Sequence, residues 1–305
     1  MLGRNAMRMR TLSLLLMLLP LALIAINGNA GEYGFQFLQI SADPIAAALA
    51  GNGIYGTNYA GAFLHNPAAN LTDERHSVSI NHTLWLQDSN YTQIIYSNGN
   101  RKSHFGLAGR VLDEGEIDAL DDTATLIGNY HPLDANLLVN FAYRLFPDHL
   151  LGINAGLLYE KLDTASSYGL NADLGYVFLT PVTNAIFFAS LKNMGFTSKM
   201  DEESIKLPLT WETGLGYSYA FKDCNLSAQA ALNKAQDTDV RGNFAAEVAL
   251  HQMLKLRVGY KQNYDEEGLT AGIGISLKNI DVDYGWTAFS DRLNDTHTFG
   301  ITYNF

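Results

Sequence analysis

Apolar and polar residues alternate along most of the chain beyond residue 75. In the last segment, Phe299, Ile301, Tyr303 and Phe305 fall on one face, and the residues between them are polar or glycine. An alternation with period two predicts a β-strand that has one apolar and one polar face. The same pattern recurs upstream through many segments, so we predict an all-β protein.

The alternation divides the chain into fourteen predicted strands. They cover residues 76–86, 90–98, 102–112, 135–146, 150–161, 168–179, 185–193, 208–220, 224–233, 242–250, 253–262, 268–277, 279–288 and 295–305. A tilted strand of about 10 residues is long enough to cross a bilayer, and bacterial outer-membrane barrels have an even number of strands. We therefore predict a closed antiparallel transmembrane β-barrel of about fourteen strands.

The connections between the predicted strands support this interpretation, because they alternate in length and charge. One set is short and lies at residues 99–101, 147–149, 222–223, 251–252 and 278–279. The other set is longer and more acidic, and its longest member, residues 113–134, contains no Lys or Arg. Short periplasmic turns and longer outer loops are typical of membrane barrels. A soluble β-sandwich or a soluble barrel does not require this alternation.

The N-terminus has the three parts of a secretory signal peptide. The first ten residues carry three arginines, residues 12–26 form an apolar run, and Gly28 and Ala30 are small residues at a predicted cleavage site. Cleavage there would leave a mature chain that begins at Gly31. The apolar run is shorter than the about 20 residues of a spanning helix, so we favour export over a retained membrane anchor.

Between the signal peptide and the first strand, the sequence does not alternate. Asp43 and Pro44 have the character of the cap and first turn of a short helix, and Asn66 with Pro67 resembles a second helix start. A segment of this size fits inside a barrel of fourteen strands. We therefore predict three regions, which are a signal peptide (residues 1–30), an N-terminal hatch or plug (residues 31–75) and an outer-membrane β-barrel (residues 76–305).

Composition and charge narrow the range of possible functions. The net charge of −11 argues against nucleic acid as a partner, and the single Cys224 excludes an internal disulfide. We find no nucleophile elbow, zinc-binding helix or phosphate loop, and we predict no catalytic residue, cofactor or metal. His82 and His297 fall on the predicted lipid-facing side, where packing is a commoner role than catalysis, so we do not expect an enzyme.

The polar faces of the strands carry charged residues that would point into the barrel lumen. They are Arg110, Arg144, Glu160, Asp173, Lys192, Glu212, Glu247, Lys255, Arg257, Lys261, Asp281 and Asp283. Glu247 and Arg257 fall on neighbouring predicted strands, and Lys255 or Arg257 could pair with Asp281 or Asp283 at one strand's remove. Two roles remain open for this set: paired charges that hold the hatch in a wet interior, or a conduction path past the hatch.

Several short motifs, taken in order, resemble a known family. They are Phe37 to Ile40, Ala46 to Gly53, Asn66-Pro67-Ala68, Asp173 to Tyr176, Ser190 to Gly195, Leu256 to Tyr260 and Thr298 to Phe305. This set resembles the PorV/PorQ family, which is related to the FadL-type transporters of long-chain fatty acids. The resemblance implies a FadL-like barrel in which Asn66, Pro67 and Ala68 belong to the hatch.

The resemblance also implies a function and partners. It favours transport of small hydrophobic molecules across the outer membrane, where outer-membrane lipid and lipopolysaccharide would surround the barrel. The alternative is a non-transporting outer-membrane component of a type IX secretion or surface-assembly system, with secretion proteins as partners. Phe299, Ile301, Tyr303 and Phe305 resemble the terminal signal that the barrel assembly machinery reads during biogenesis.

Overall fold

The computed structural model describes residues 33–53, 59–72, 76–200, 203–251, 253–290 and 293–305. The predicted signal peptide, residues 1–30, lies outside these described residues. Where one predicted region ends and the next begins therefore remains a prediction.

Fourteen antiparallel strands close into a barrel, which confirms the predicted fold class and strand number. They are β1 (His76–Leu84), β2 (Asn90–Gly99), β3 (Ser103–Asp113), β4 (Leu133–Phe146), β5 (His149–Leu162), β6 (Ala165–Leu179), β7 (Ala185–Thr197), β8 (Thr210–Phe221), β9 (Cys224–Ala235), β10 (Arg241–Leu250), β11 (Leu254–Gln262), β12 (Glu267–Leu277), β13 (Ile280–Phe289) and β14 (Thr296–Asn304). Consecutive strands pair, and β1 pairs with β14 to close the ring. Each strand therefore has a partner on both sides, as a strand in lipid requires.

Several strand ends differ from the prediction. The predicted loop at residues 162–167 is absorbed into β5 and β6, which are joined through the two residues Asp163 and Thr164. Strand β7 continues to Thr197, beyond its predicted end at residue 193. A β-bulge next to Asn193 adds one residue and reverses the alternation of apolar and polar positions there. The sequence pattern stops at this bulge although the strand does not.

The two ends of the barrel differ in their connections. Short turns follow the even-numbered strands from β2 to β12, and we call this the short-turn end. Longer loops follow β3, β7 and β13 among the odd-numbered strands, and we call this the long-loop end. The division is less sharp elsewhere, because a tight turn follows β5 and because residues 180–184 after β6 are as many as in the connections after β1 and β9. The loop after β3 contains a hairpin of Ile117–Leu120 with Leu126–Tyr130. In outer-membrane barrels, short turns face the periplasm and longer loops face outward.

The outer wall is apolar and the inner wall is polar, which is the reverse of a soluble barrel. On β4, Leu137 and Phe141 are more than half exposed on the outside, whereas Asn140 and Ala142 are completely buried on the inside. The same arrangement recurs around the ring and leaves a broad apolar surface. Such a surface is typical of a wall that contacts lipid.

Aromatic side chains lie near both ends of this wall. Near the short-turn end, the His149 ring stacks on Phe178 with 4.9 Å between their centroids. Near the long-loop end, Tyr159 and Tyr168 have centroids 5.1 Å apart. Aromatic girdles at both membrane interfaces are typical of transmembrane barrels. Of the helices in the described part of the chain, none has the length and apolarity to cross a bilayer.

The described residues before β1 lie inside the barrel and form the hatch, which here means residues 33–53 and 59–72. It contains helix α1 (Pro44–Ala48) and helix α2 (Ala62–His65). Asp43 caps α1 as predicted, and its carboxylate accepts hydrogen bonds from the amides of Ile45 and Ala46 at 2.9 and 3.2 Å. The hatch contributes apolar side chains to three buried clusters within the lumen.

The second helix predicted to start at Asn66 is present only as a short 3-10 helix that begins at Ala69. Asn66 follows the last residue of α2 as its C-terminal cap, and a 3-10 helix, Ala69–Thr72, comes after it. The Asn66 side chain accepts a hydrogen bond from the Ala68 amide at 2.9 Å. Asn and Pro are also common turn residues, so the same two letters fit a turn as well as a helix start.

The Asp43 cap leads to a prediction about local stability of the hatch. Replacing a helix cap by alanine costs about 1 kcal/mol, whereas asparagine retains an acceptor oxygen. We expect Asp43→Ala to speed hydrogen exchange of the α1 amides, measured by mass spectrometry on the refolded barrel. Asp43→Asn is the matched control and should have a smaller effect. Equal exchange in both variants and in the wild type would contradict the capping role.

Candidate functional site: the hatch and two cavities in the barrel

Asn66 fastens the hatch to the barrel wall. Its Nδ2 atom donates to the carbonyl oxygen of Ala189 at 2.9 Å and to that of Tyr176 at 3.4 Å. These two carbonyls belong to the neighbouring strands β6 and β7. Because the Asn66 side chain is completely buried, these hydrogen bonds satisfy polar atoms that would otherwise be costly to bury.

Glycines allow the backbone around Pro67 to approach the wall closely. Gly152 and Gly175 pair directly across β5 and β6. A Cβ atom at Gly152 would lie 2.2 Å from the carbonyl oxygen of Pro67, and one at Gly175 would lie 2.4 Å from Asn66 Oδ1. A larger residue at either position would displace the hatch.

Two asparagines on the wall bind hatch carbonyls. The Nδ2 atom of Asn140 donates to the carbonyl of Pro67 at 3.0 Å, and that of Asn154 donates to the carbonyl of Phe63 at 3.0 Å. Asn154 also donates to Asp173 Oδ2 at 2.9 Å. The predicted lumen residue Asp173 therefore belongs to a buried network that holds the hatch.

Asp173 extends this network to the bulge in β7. Its Oδ1 atom accepts a hydrogen bond from the Asn193 amide at 2.8 Å, and Asn193 has a positive φ of 62°. Asparagine tolerates this left-handed backbone better than most residues. Three of the motifs with a family resemblance, residues 66–68, 173–176 and 190–195, thus meet at one point on the wall.

A second set of glycines forms the seat of α1, and we call it the glycine groove. Its members are Gly259 on β11, Gly272 on β12, Gly285 on β13 and Gly300 on β14. A Cβ atom at Gly272 would lie 2.4 Å from Ala48 Cβ, and one at Gly285 would lie 2.4 Å from the carbonyl oxygen of Pro44. The helix therefore packs directly on the backbone of the wall.

Thr270 fixes the C-terminal end of α1 on this groove. Its hydroxyl donates to the carbonyl of Ala48 at 2.8 Å and accepts from the amide of Ala50 at 3.2 Å. Asn243, on β10, donates to the carbonyl of Ala50. A helix of five residues is thus bonded at its end to two wall strands.

Three of the predicted lumen charges form a buried cluster, which we call the ionic layer. Arg257 donates through Nε to Glu247 Oε2 and through Nη1 to Asp283 Oδ1, each at 2.7 Å. The Arg257 side chain has no exposed surface. A Cβ atom at Gly274 would lie 2.3 Å from Asp283 Oδ1, so glycine at this position lets the guanidinium reach across β12.

Asp43 lies close to this layer from the hatch side. Its Oδ2 atom accepts a hydrogen bond from Asn81 Nδ2 at 3.3 Å. Burial, together with the nearby Asp283 carboxylate, raises the pKa of Asp43 to about 7, although the two amide donors of α1 act in the opposite direction.

Other predicted lumen charges lie nearer the long-loop end. Lys192 Nζ is 3.6 Å from Glu212 Oε2, and Arg110 donates to Asn136 Oδ1 through Nε at 3.1 Å and Nη2 at 2.5 Å. Burial and the positive charges of Lys192 and Arg110 lower the pKa of His65 to about 3. The His65 ring is therefore neutral at physiological pH.

Glu160 and Lys261 also lie near the long-loop end. Glu160 accepts a hydrogen bond from the Phe35 amide at 3.1 Å, and Lys261 pairs with Glu267 at 2.5 Å.

The other three predicted charges lie at the short-turn end. Arg144 is at the rim, where its guanidinium donates to the carbonyls of Arg101 at 2.7 Å and Pro147 at 2.8 Å. It holds two turns together and takes no part in the ionic layer. Lys255 and Asp281 line a cavity at this end, and Asp281 accepts a hydrogen bond from Asn304 at 2.7 Å.

Two cavities lie at opposite ends of the barrel, with the hatch between them. The long-loop cavity has a volume of about 480 Å³, and its lining includes Asp43, Leu64 and Glu212. The short-turn cavity has a volume of about 740 Å³, and its lining includes Glu247 and Lys255. The hatch therefore blocks a direct path along the barrel axis.

The floor of the long-loop cavity has unused hydrogen-bonding atoms. Gln93 Nε2 and Glu212 Oε1 are buried and have no hydrogen-bond partner among the residues that the structure describes. Both residues line the cavity. Leu38, Ile40 and Leu64 contribute apolar surface to the same cavity, so it offers both apolar and polar contacts.

The other chemical expectations concern the last strand and metal ligands. The alternate side chains of β14 that resemble an assembly signal, Phe299, Ile301, Tyr303 and the following Phe305, are about half exposed on the outer wall. Whether the assembly machinery reads them stays a prediction. In the described ranges, no group of three or more His, Cys, Asp or Glu side chains is placed to hold a metal ion.

The fold is similar to those of several solved structures. The toluene transporter TodX of Pseudomonas putida has a TM-score of 0.61 at 10% identity, with 92% of this chain and 98% of that chain covered. The CymD monoaromatic hydrocarbon channel has a TM-score of 0.60 at 11% identity, with 86% and 96% covered. A FadL homologue of Pseudomonas aeruginosa has a TM-score of 0.53 at 10% identity, with 87% and 98% covered.

At such identities the similarity establishes the fold and nothing finer. The chain has a FadL-like barrel fold, in agreement with that part of the resemblance found in its motifs. No protein-family model and no curated protein matches the sequence.

Sequence reasoning missed the glycine groove and the two asparagines that bind hatch carbonyls. The alternation placed Gly259, Gly272, Gly285 and Gly300 on inward faces, which the structure bears out, but it treated them as ordinary polar-face positions. The available signal was an inward glycine on each of four successive strands. Such a row marks a place where another backbone approaches the sheet.

The glycine groove leads to a second prediction. We expect Gly285→Val to displace α1, because its Cβ atom would overlap the Pro44 carbonyl, and overpacking of this kind costs about 1–3 kcal/mol. Limited proteolysis in detergent should then cleave the hatch while the barrel keeps its heat-dependent gel shift.

Gly109→Val is the matched control for this experiment. Gly109 lies on the outer wall, where an added Cβ atom meets no described heavy atom within 4 Å. Its hatch should stay as resistant to protease as in the wild type. Equal resistance of the Gly285→Val hatch would contradict the proposed seat of α1.

Proposed function

We propose that this chain resides in the outer membrane and transports small hydrophobic molecules across it. The observation that carries the proposal is a hatch fixed between two cavities in a barrel with the fold of TodX and CymD. The TodX structure is described as a toluene transporter and CymD as a monoaromatic hydrocarbon channel. The apolar outer wall, the aromatic girdles and the predicted signal peptide support the membrane location.

The long-loop cavity is the point at which cargo would first bind. Trp85 and Phe289 meet edge to face at its rim, with ring centroids 5.7 Å apart. Leu38, Ile40 and Leu64 lie along the same cavity. Transfer of an apolar molecule from water to such a surface is favourable, so the cavity would concentrate hydrophobic cargo above the hatch.

The PorV/PorQ resemblance supports a second candidate, a component of a type IX secretion or surface-assembly system. The specific observation in its favour is the hairpin between β3 and β4. Leu120, Leu126 and Ile127 are more than half exposed there, on a loop that is otherwise acidic. Exposed apolar side chains of this kind are common where a protein partner binds.

An uptake experiment tests the transport proposal. Cells whose own hydrophobic transporters are deleted would express the wild-type chain or a variant, and accumulation of radiolabelled toluene would be measured. We expect uptake with the wild type and a reduction with Leu64→Trp, because the larger ring would narrow the long-loop cavity. Val139→Trp, on the exposed outer wall, is the matched control and should retain uptake.

The same strains distinguish the two candidates. Toluene accumulation equal to that of cells without the protein would contradict transport of this cargo class. Secretion proteins that co-purify from native outer membranes, combined with absent uptake, would favour the assembly role. Removal of residues 117–130 should then release those partners, whereas it should leave uptake intact if transport is correct.

A further inference from the structure

The ionic layer lies directly beneath the glycine groove. Arg257 and Gly259 are two residues apart on the inner face of β11, and Asp283 and Gly285 are two residues apart on that of β13. Two residues along a strand correspond to about 7 Å. In each pair the charged residue is nearer the short-turn end, so the charges form the next level below α1.

The two cavities reach this level from opposite sides. Asp43, at the start of α1, lines the long-loop cavity. Glu247, in the ionic layer, lines the short-turn cavity. Pro44, which follows Asp43, lies against Gly285, and Gly285 is two residues from Asp283 on β13. The start of α1 and the ionic layer are therefore what separates the two cavities at this point.

The ionic layer closes a buried gap with charged side chains, and apolar side chains would be the more usual means. Apolar residues of similar size would close a buried gap at least as well as an ion pair, because buried charges have a large desolvation cost. Here Arg257 is fully buried, and its Nη2 atom has no hydrogen-bond partner among the described residues. The hydrogen-bonding groups of the ionic layer are thus satisfied only in part while the layer is closed.

The sign of the charge predicts what an open layer would attract. Glu247 and Asp283 together carry two negative charges against one positive charge on Arg257. Asp43 adds a further carboxyl group from the hatch side. Rings of carboxylates in a pore select cations. With the Arg257 bridge displaced, the constriction would be lined by carboxylates.

We propose that the ionic layer is the constriction of a second route, along the barrel axis, that conducts small cations between the two cavities, and that the Arg257 bridge keeps this route closed. Opening requires the guanidinium to leave one of its two carboxylates and α1 to shift on the glycine groove. The route differs from hydrophobic transport in its cargo and does not depend on it.

Conductance of the purified full barrel in planar bilayers tests this proposal, with potassium chloride as the electrolyte. We expect low conductance for the wild type and a severalfold rise with cation selectivity for Arg257→Ser. The matched control is Arg101→Ser, which removes an exposed arginine in a short turn outside the lumen. It should have the conductance of the wild type.

A second variant opens the layer without removing a charge. Gly274→Ala would place a Cβ atom 2.3 Å from Asp283 Oδ1 and 3.0 Å from Arg257 Nη1, and so would push the bridge apart. We expect its conductance to rise as well. The heat-dependent gel shift shows for each variant that the barrel is folded.

Selectivity distinguishes the proposed route from general leakiness. Adding Glu247→Gln and Asp283→Asn to Arg257→Ser should reduce the preference for potassium over chloride while current persists. Wild-type conductance in both folded opening variants would overturn the proposal, as would an equal rise in Arg101→Ser or an anion-selective current in Arg257→Ser. Toluene uptake measured on the same variants keeps this outcome separate from that of the transport proposal.

Discussion

The hatch backbone can approach the barrel wall because the wall has no side chains at the points of contact. Gly152 and Gly175 receive the turn at Pro67, and the glycine groove receives α1. Any other residue at these positions would place a Cβ atom closer to the hatch than van der Waals contact allows. The position of the hatch, and with it the shape of the lumen, depends on this close contact.

Polar side chains complete the contact that the glycines allow. Asn140 and Asn154 donate to hatch carbonyls, and Asn66 donates in return to carbonyls of β6 and β7. Each bond pairs a buried backbone group that water cannot reach, and an unpaired group of this kind is costly. The same fit fixes the two cavities and brings Asp43 against the ionic layer. A path for cargo through this barrel must therefore pass or displace these hydrogen bonds between the hatch and the wall.

The fold could be predicted from the sequence because a strand between lipid and a polar lumen has to alternate. On β11 and β14 the period-two pattern was complete, and on β7 it ended where the bulge at Asn193 reversed the faces. The pairing of Arg257 with Glu247 followed from neighbouring strands. Most contacts of the hatch could not be predicted in this way. Asn140 binds a carbonyl 73 residues away in sequence, and no local pattern encodes such a partner.

The central claim is that α1 sits on the glycine groove inside the barrel, and disulfide cross-linking measures this contact directly. Cysteines would be introduced at Ala48 and Thr270 in a chain whose only native cysteine is replaced through Cys224→Ser, since the Thr270 hydroxyl lies 2.8 Å from the Ala48 carbonyl oxygen and Thr270 is two residues from Gly272 on β12. After mild oxidation of intact cells, we predict an internal cross-link that changes the migration of the unfolded chain on a gel. The pair Ala48→Cys with Gly109→Cys, on the outer wall, should give none. A missing cross-link to position 270, or an equal one to position 109, would contradict the account.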